Sequence, residues 1–185
     1  MRRRFSLPLA LSLLATAAAA GCAVPPRDAP RTVASVDLAR YAGVWHEVAR
    51  FPNRFEDGPG LLCADVTATY TPRPDGRIGV VNRCRNAAEN NAERSVEGRA
   101  YAVEGSGGAR LRVSFFWPFY GDYWVIALAP NYRWALVGDP RREYLWLLSR
   151  TPDIAPADRA AAVEAARREG FDVGRLRTTP RFGGA

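Results

Sequence analysis

Apolar positions in this chain fall mostly at every second residue, in short runs separated by turn-forming clusters. In 65–70, Asp65, Thr67 and Thr69 alternate with Val66, Ala68 and Tyr70; in 110–115, Arg110, Arg112 and Ser114 alternate with Leu111, Val113 and Phe115. This period of two predicts strands over 44–51, 64–71, 77–84, 95–104, 110–116, 123–129, 134–138 and 144–149. The connections include "NRFEDGPG", "PRPDG", "EGSGG", "PFYGD", "APNYR" and "GDPRRE", rich in residues that build turns. Eight short strands joined mostly by tight turns form an antiparallel meander, which closes into an up-and-down barrel, so the expected class is all-β. The period then changes. "PADRAAAVEAARREGFD" begins with Pro156 at a helix start and stops at Gly170, predicting one C-terminal α-helix. Its small residues Ala160, Val163 and Ala166 are expected to face the barrel's outer wall.

Parity sorts inward from outward. Val66, Ala68 and Tyr70 face in, as do Ile78, Val80 and Asn82 across the first hairpin. The segment "VSFFWPFYGDYWVIAL", 113–128, holds seven aromatic residues in sixteen positions. Alternation points Phe115 inward, makes Tyr123 a second wall residue, and leaves "FWPFYG" as a loop at the barrel rim. An eight-stranded barrel has an interior just wide enough for side chains or one small ligand. Small residues mixed with a few large rings leave room, where a filled core would use larger aliphatics throughout, so a cavity is expected. Glu47 shares the parity of Trp45, whereas His46 points out. Two readings of Glu47 stand: a polar group inside the pocket, or a group near a barrel end, solvated or paired with an arginine. A membrane-spanning barrel fits poorly, because spanning strands want about 9–11 residues and two aromatic girdles.

Composition changes the picture at the termini. All 26 basic residues are arginine, set against 19 acidic ones. Arg2, Arg3 and Arg4 precede the apolar run Phe5–Ala20, the pattern of a secretory signal peptide over 1–21. Without them 23 basic residues face 19 acidic ones, with no basic cluster or motif for nucleic acid. The end of this leader, "AAAAGC", resembles the bacterial lipobox, which implies that Cys22 is acylated and becomes the first mature residue. Ala23 after it favours, by the same resemblance, sorting to the outer membrane. Residues 22–35 are Pro-rich and aperiodic, read as a tether spanning roughly 20 Å. Residues 36–178 are the folded domain and 179–185 a tail. Export implies an oxidising compartment, where Cys63 and Cys84 read best as a disulfide. Pairing Thr71 with Arg77 sets Ala64 opposite Cys84, one residue from Cys63. A metal site or redox pair competes, but a single histidine and no C-x-x-C match neither.

"DLARYAGVWHEVARFPNRFE", with Gly43-x-Trp45, followed by "YWVIALAPNYRWALVGDP" and "YLWLLSRTP", resembles the lipocalin family, and within it the lipid-anchored bacterial lipocalins. The likeness runs over about residues 36–178. Trp45 is large enough to plug a barrel end, and Gly43 lets the chain pass close to it. The resemblance implies that Arg150 stacks on that tryptophan, and it places Trp146 and Leu148 in the pocket wall. The candidate ligand-binding set is therefore Glu47, Val66, Ala68, Tyr70, Ile78, Val80, Asn82, Phe115, Tyr123, Trp146 and Leu148. The implied function is to bind, store or transport a fatty acid or lysophospholipid, serving envelope maintenance at the periplasmic face of the outer membrane. A filled structural lipoprotein or a carrier of another hydrophobic molecule is the alternative, and a homodimer stays open. No metal, cofactor, nucleic acid or catalysis is expected: there is no G-x-S-x-G and no phosphate loop.

Overall fold

The computed structural model describes residues 26–182; the signal peptide and Cys22 lie outside the described residues. A short helix α1 (Leu38–Tyr41) is capped by Asp37, whose carboxylate accepts the N–H groups of Ala39 and Arg40 at 2.9 and 3.2 Å. It feeds β1 (Gly43–Arg50), β2 (Cys63–Pro72), β3 (Ile78–Asn86), β4 (Ala92–Ala102), β5 (Arg110–Phe116), β6 (Phe119–Leu128), β7 (Trp134–Gly138) and β8 (Leu145–Ser149). Each strand pairs antiparallel with the next, and β1 pairs with both β2 and β8, closing an eight-stranded barrel. Helix α2 (Pro156–Arg168), a 3-10 turn (Val173–Arg175) and a two-residue strand β9 (Arg177–Thr178) on β1 complete the chain.

Strand direction defines two ends. Connections 51–62, 87–91, 117–118 and 139–144 lie at one end; α1 and connections 73–77, 103–109 and 129–133 lie at the other. Trp45 plugs the second end, fully buried, its indole N–H donating to Tyr41 O at 2.8 Å. The Arg150 guanidinium lies 3.9 Å from the Trp45 ring and donates to Val44 O, Arg40 O and Tyr41 O at 2.9, 2.7 and 3.1 Å. Gly43, at φ +93°, is the point where the chain turns beneath that guanidinium. We call this end closed.

Three expectations from sequence need correction. "FWPFYG" is no loop: β6 already starts at Phe119, which pairs with Phe116, leaving Trp117-Pro118 as the whole connection. Aromatic residues suit a pleated surface, so the strands extend to the tip. The first hairpin is slipped by two residues, with Pro72 opposite Ile78, Tyr70 opposite Val80 and Ala68 opposite Asn82. A slip of two preserves every side chain's face, so the inward set survives. The helix face is rotated: Asp158, Ala162, Ala165 and Ala166 are buried, while Ala160 is exposed and Val163 half-buried. A 3.6-residue period, not three, sets that stripe, and Asp158 is accepted in it because Arg133 pairs with it.

The domain boundaries also move. The segment read as a tether is docked along the wall from Ala29, which is half-buried, through Pro30, which is buried, and Val33 N–H donates to Val125 O at 3.0 Å. The segment read as a tail contains Thr179, which is buried and whose N–H donates to Val48 O at 3.2 Å, and Pro180, whose carbonyl accepts from Asp65 N–H at 2.9 Å. Cys63 and Cys84 are bonded, with Cα atoms 5.3 Å apart. The apolar residues form two layers across the barrel wall. Trp45, Tyr70, Val80, Leu111 and Val137 fill the inside; Trp124, Ile126, Leu136 and Leu147 lie outside under α2.

Candidate functional site

Along β3, β4, β5, β6 and β8, inward residues are sealed at the closed end and more accessible toward the other. On β4, Ala100 is 1% exposed and Val96, four residues nearer the open end, 36%. On β3, Ile78 and Val80 are buried and Asn82 is half-buried; on β5, Leu111 is buried, but Val113 and Phe115 are not. Strands β6 and β8 repeat the gradient, from Val125 to Tyr123 and from Leu148 to Trp146. The barrel interior is thus a cup packed at its floor and partly accessible above it along β3 to β6 and β8. The β1, β2 and β7 walls differ: Glu47, Arg50 and Val137 are buried, and so is Val66, which packs beside Cys63, Cys84 and Leu61, so the disulfide seals the β2 wall.

Each predicted pocket residue can now be placed. Ala68, Tyr70, Ile78, Val80 and Leu148 belong to the buried floor, while Phe115, Tyr123 and Trp146 pack on it from above. Gly98 makes room for Phe115: a Cβ there would lie 2.7 Å from the ring and 2.7 Å from Ser114 O. The floor carries a chain of phenols, Tyr123 Oη lying 2.7 Å from Tyr41 Oη and 2.9 Å from Tyr70 Oη. Burial raises the pKa of all three above the ordinary tyrosine value, so they are neutral. Three hydroxyls own three hydrogens and two are used between them, so one remains to donate elsewhere. Inside the cup the side-chain oxygen of Asn82 is buried without a hydrogen-bond partner.

Glu47 points inward as parity required, yet it is not free to meet a ligand. It accepts from Arg50 Nη1 at 2.8 Å and from Thr179 Oγ1 at 2.5 Å, an inward carboxyl paired with an arginine. Arg50, 2% exposed, also donates to Asp57 at 2.9 and 2.6 Å and to Cys63 O at 3.0 Å. Trp146 donates to Glu56 at 3.0 Å and stacks on Tyr144, whose ring centre is 5.6 Å away. The cluster ties the 51–62 connection to the barrel wall. Burial, helped by nearby Glu56, holds the Glu47 carboxyl well above the usual carboxylate range, against the pull of Arg50 and Thr179. Burial would also raise Asp57, but hydrogen bonds from Arg50 and the Asn53 N–H bring it below its ordinary value. A cleft of about 210 Å³ lined by Arg50, Asp57, Leu62, Arg177 and Pro180 opens beside this cluster.

Arg50 went unseen because its parity reads outward. A bulge between Glu47 and Ala49 puts Val48 and Ala49 both outside and returns Arg50 to the interior. No residue type there announces it. Tyr41 and Val96 were missed for another reason: the first lies before the strands, and the second is the one large apolar residue of an inward row that continues as Gly98 and Ala100.

Comparison with known proteins gives a consistent result. Residues 36–181 match the lipocalin-like domain family. The outer membrane lipoprotein Blc of Escherichia coli K12 is 44% identical over 171 residues, which cover 92% of this chain and 94% of that protein. Temperature-induced lipocalin-1 of Arabidopsis thaliana is 40% identical, covering 80% and 81% of the two chains. Among solved structures, insecticyanin from the tobacco hornworm Manduca sexta superposes with a TM-score of 0.67 at 16% identity, over 86% of this chain and 87% of its own.

Proposed function

Because the chain belongs to the lipocalin family, we propose that it binds one single-chain lipid, a fatty acid or lysophospholipid, in the open half of its barrel. The exposure gradient along the inward rows carries this reading: the floor is filled, and accessibility rises above it toward Val96, Phe115 and Trp146. Asn82 and the spare phenolic hydrogen supply the few polar contacts such a site needs. The role is binding and transfer, not catalysis: Glu47, the one buried acid on the inner face of β1, is engaged by Arg50 and Thr179. Acylation of Cys22 would hold the protein at the outer membrane, as the name of its Escherichia coli relative states for that protein.

Magnitudes suit a carrier. Burying a sixteen-carbon chain yields roughly 12 kcal/mol at about 0.8 kcal/mol per methylene. Association costs about 4–15 kcal/mol, which leaves micromolar binding at best. Such affinity permits uptake and release, and an anchor beside the lipid source raises its local concentration.

The test is a titration of the unacylated chain 23–185 with myristoyl lysophosphatidylethanolamine below its micellar threshold, followed by tryptophan fluorescence. Saturable change that shrinks in Trp146→Phe supports the proposal. A folded protein that never saturates would turn the reading to a filled, structural barrel.

A further inference from the structure

At the open end the β5–β6 hairpin shows three rings with nothing packed over them. Phe116, Trp117 and Phe119 are 73%, 72% and 77% exposed. Phe55 and Leu62, on the 51–62 connection at the same end, are exposed as well. Tight hairpins favour Asn-Gly and similar pairs, so turn formation does not explain rings at this tip. An exposed apolar patch of this kind marks a contact surface.

The course of the N-terminal segment says which contact. At the closed end Val36 N–H donates to Gly107 O at 2.9 Å. The chain then follows the outer wall: Val33 is bonded to β6, and Arg31 Nη2 meets Glu169 at 2.9 Å, just past the end of α2. Asp28 reaches the open end, its carbonyl accepting from Arg142 Nη2 in the 139–144 connection at 2.6 Å. That connection neighbours the aromatic hairpin, since β6 pairs with β7. Cys22 precedes Pro26 by four residues, which reach at most about 14 Å in any conformation. An acyl chain on Cys22 therefore starts beside the open end. The 20 Å of freely wandering tether that the sequence suggested would have set no orientation.

We propose that the open end faces the membrane, with Phe116, Trp117 and Phe119 seated in the interfacial layer of a lipid bilayer. Aromatic rings favour that zone, and the exposed Arg54 and Arg141 on adjoining connections suit lipid phosphates. The orientation rests on the anchor and the lipid carriage proposed above. It lets a lipid pass between bilayer and barrel without crossing bulk water.

The experiment places the acylated protein in mixed phosphatidylethanolamine–phosphatidylglycerol vesicles whose acyl chains are brominated near the headgroup. Bromine should quench a part of the emission that is missing in Trp117→Phe. In parallel, the unacylated chain 23–185 should bind such vesicles, and Phe116→Ser with Phe119→Ser should lower that affinity at least ~10-fold, as loss of two buried rings implies. The double variant should keep the near-ultraviolet spectrum and the lysolipid affinity of the parent in vesicle-free solution. Absence of Trp117-specific quenching, or equal vesicle affinity, overturns the proposal. So does a dimer that hides the rings and falls apart in the double variant, which makes a second copy the occupant. Loss of lysolipid binding in solution by the double variant also overturns it, assigning the rings to the ligand path. If quenching persists while the parent binds no lysolipid, the orientation stands and the carrier reading falls.

Discussion

Replacing Arg50 by methionine removes the centre of the charge cluster at the barrel mouth while nearly conserving length and volume. The side chain is 2% exposed and donates to Glu47, Asp57 and Cys63 O. Its loss leaves Glu47, a fully buried carboxyl, with Thr179 as the remaining hydrogen-bond donor and Glu56 as a repelling neighbour. Breaking a buried pair in this way costs about 3–5 kcal/mol. For a domain of this size that is a drop in Tm on the order of 10 °C. The cost depends on pH in a defined direction. Glu47 has a raised pKa in the folded protein, so its contribution is complete below the ordinary carboxylate range and is lost as pH rises through the folded value. Asp57 has a lowered one, so its contribution is present above its ordinary pKa and is lost as pH falls. Removing Arg50 pushes Glu47 further up and abolishes much of the depression of Asp57. Both changes move stabilisation from neutral toward acid pH. Urea denaturation at pH 5, 6.5 and 8, followed by tryptophan fluorescence, should show the largest deficit at pH 8 and the smallest at pH 5. Adding Glu47→Gln to Arg50→Met should recover about 1–2 kcal/mol, because the uncompensated charge is gone. A deficit below about 1 kcal/mol at pH 8, or a larger one at pH 5, would refute the reasoning.

Two further predictions concern the floor and the wall. Arg150→Ala loses a shielded cation–π contact and three carbonyl partners, and should lower stability by about 2–4 kcal/mol in the same denaturation assay. Its lysolipid affinity should be unchanged, since Arg150 lies below Trp45; an unchanged urea midpoint would contradict the plug role. Gly98→Val drives a side chain into the space of Phe115 and should cost about 1–3 kcal/mol. It should also weaken lysolipid binding in the fluorescence titration, and intact affinity would place Phe115 off the ligand path.

How much of this was legible in the sequence depends on whether an error spans one residue or two. The first hairpin was registered two residues out, yet Ala68, Tyr70, Val80 and Asn82 all face inward, because strand side chains repeat every second residue. A single-residue bulge has the opposite effect. The irregularity between Glu47 and Ala49 reverses the parity of Arg50, and that between Ala64 and Thr67, with Asp65 at φ +50°, reshapes the approach to Cys63. Neither bulge is marked by glycine, so alternation alone could not find them. The plug was legible for a different reason: a glycine, a tryptophan and a distant arginine are uncommon enough to be read by resemblance. The helix face failed because small residues spaced by three mimic a stripe that a 3.6-residue turn rotates away.

The mouth then becomes the part of the molecule where sequence and structure differ most. Arg50 connects three segments that are far apart in the chain: β1 through Glu47, the 51–62 connection through Asp57, and the C-terminal return through Thr179. Glu56, from the same connection, fixes the indole of Trp146 on β8. The β1, β2 and β8 side of the rim is therefore pinned by charge-assisted hydrogen bonds and by the Cys63–Cys84 bond. On the β4 to β6 side the charge-assisted pair Arg112–Asp122 is partly exposed on the strands themselves, and the inner rim offers Val96, Phe115 and Tyr123. On the proposed carrier reading, a lipid meeting this rim would find a rigid polar half and an apolar half. Its chain can enter along the apolar half while its headgroup stays near the polar one. That asymmetry follows from where the bulges place Arg50, and it favours an amphiphile over a uniformly apolar ligand.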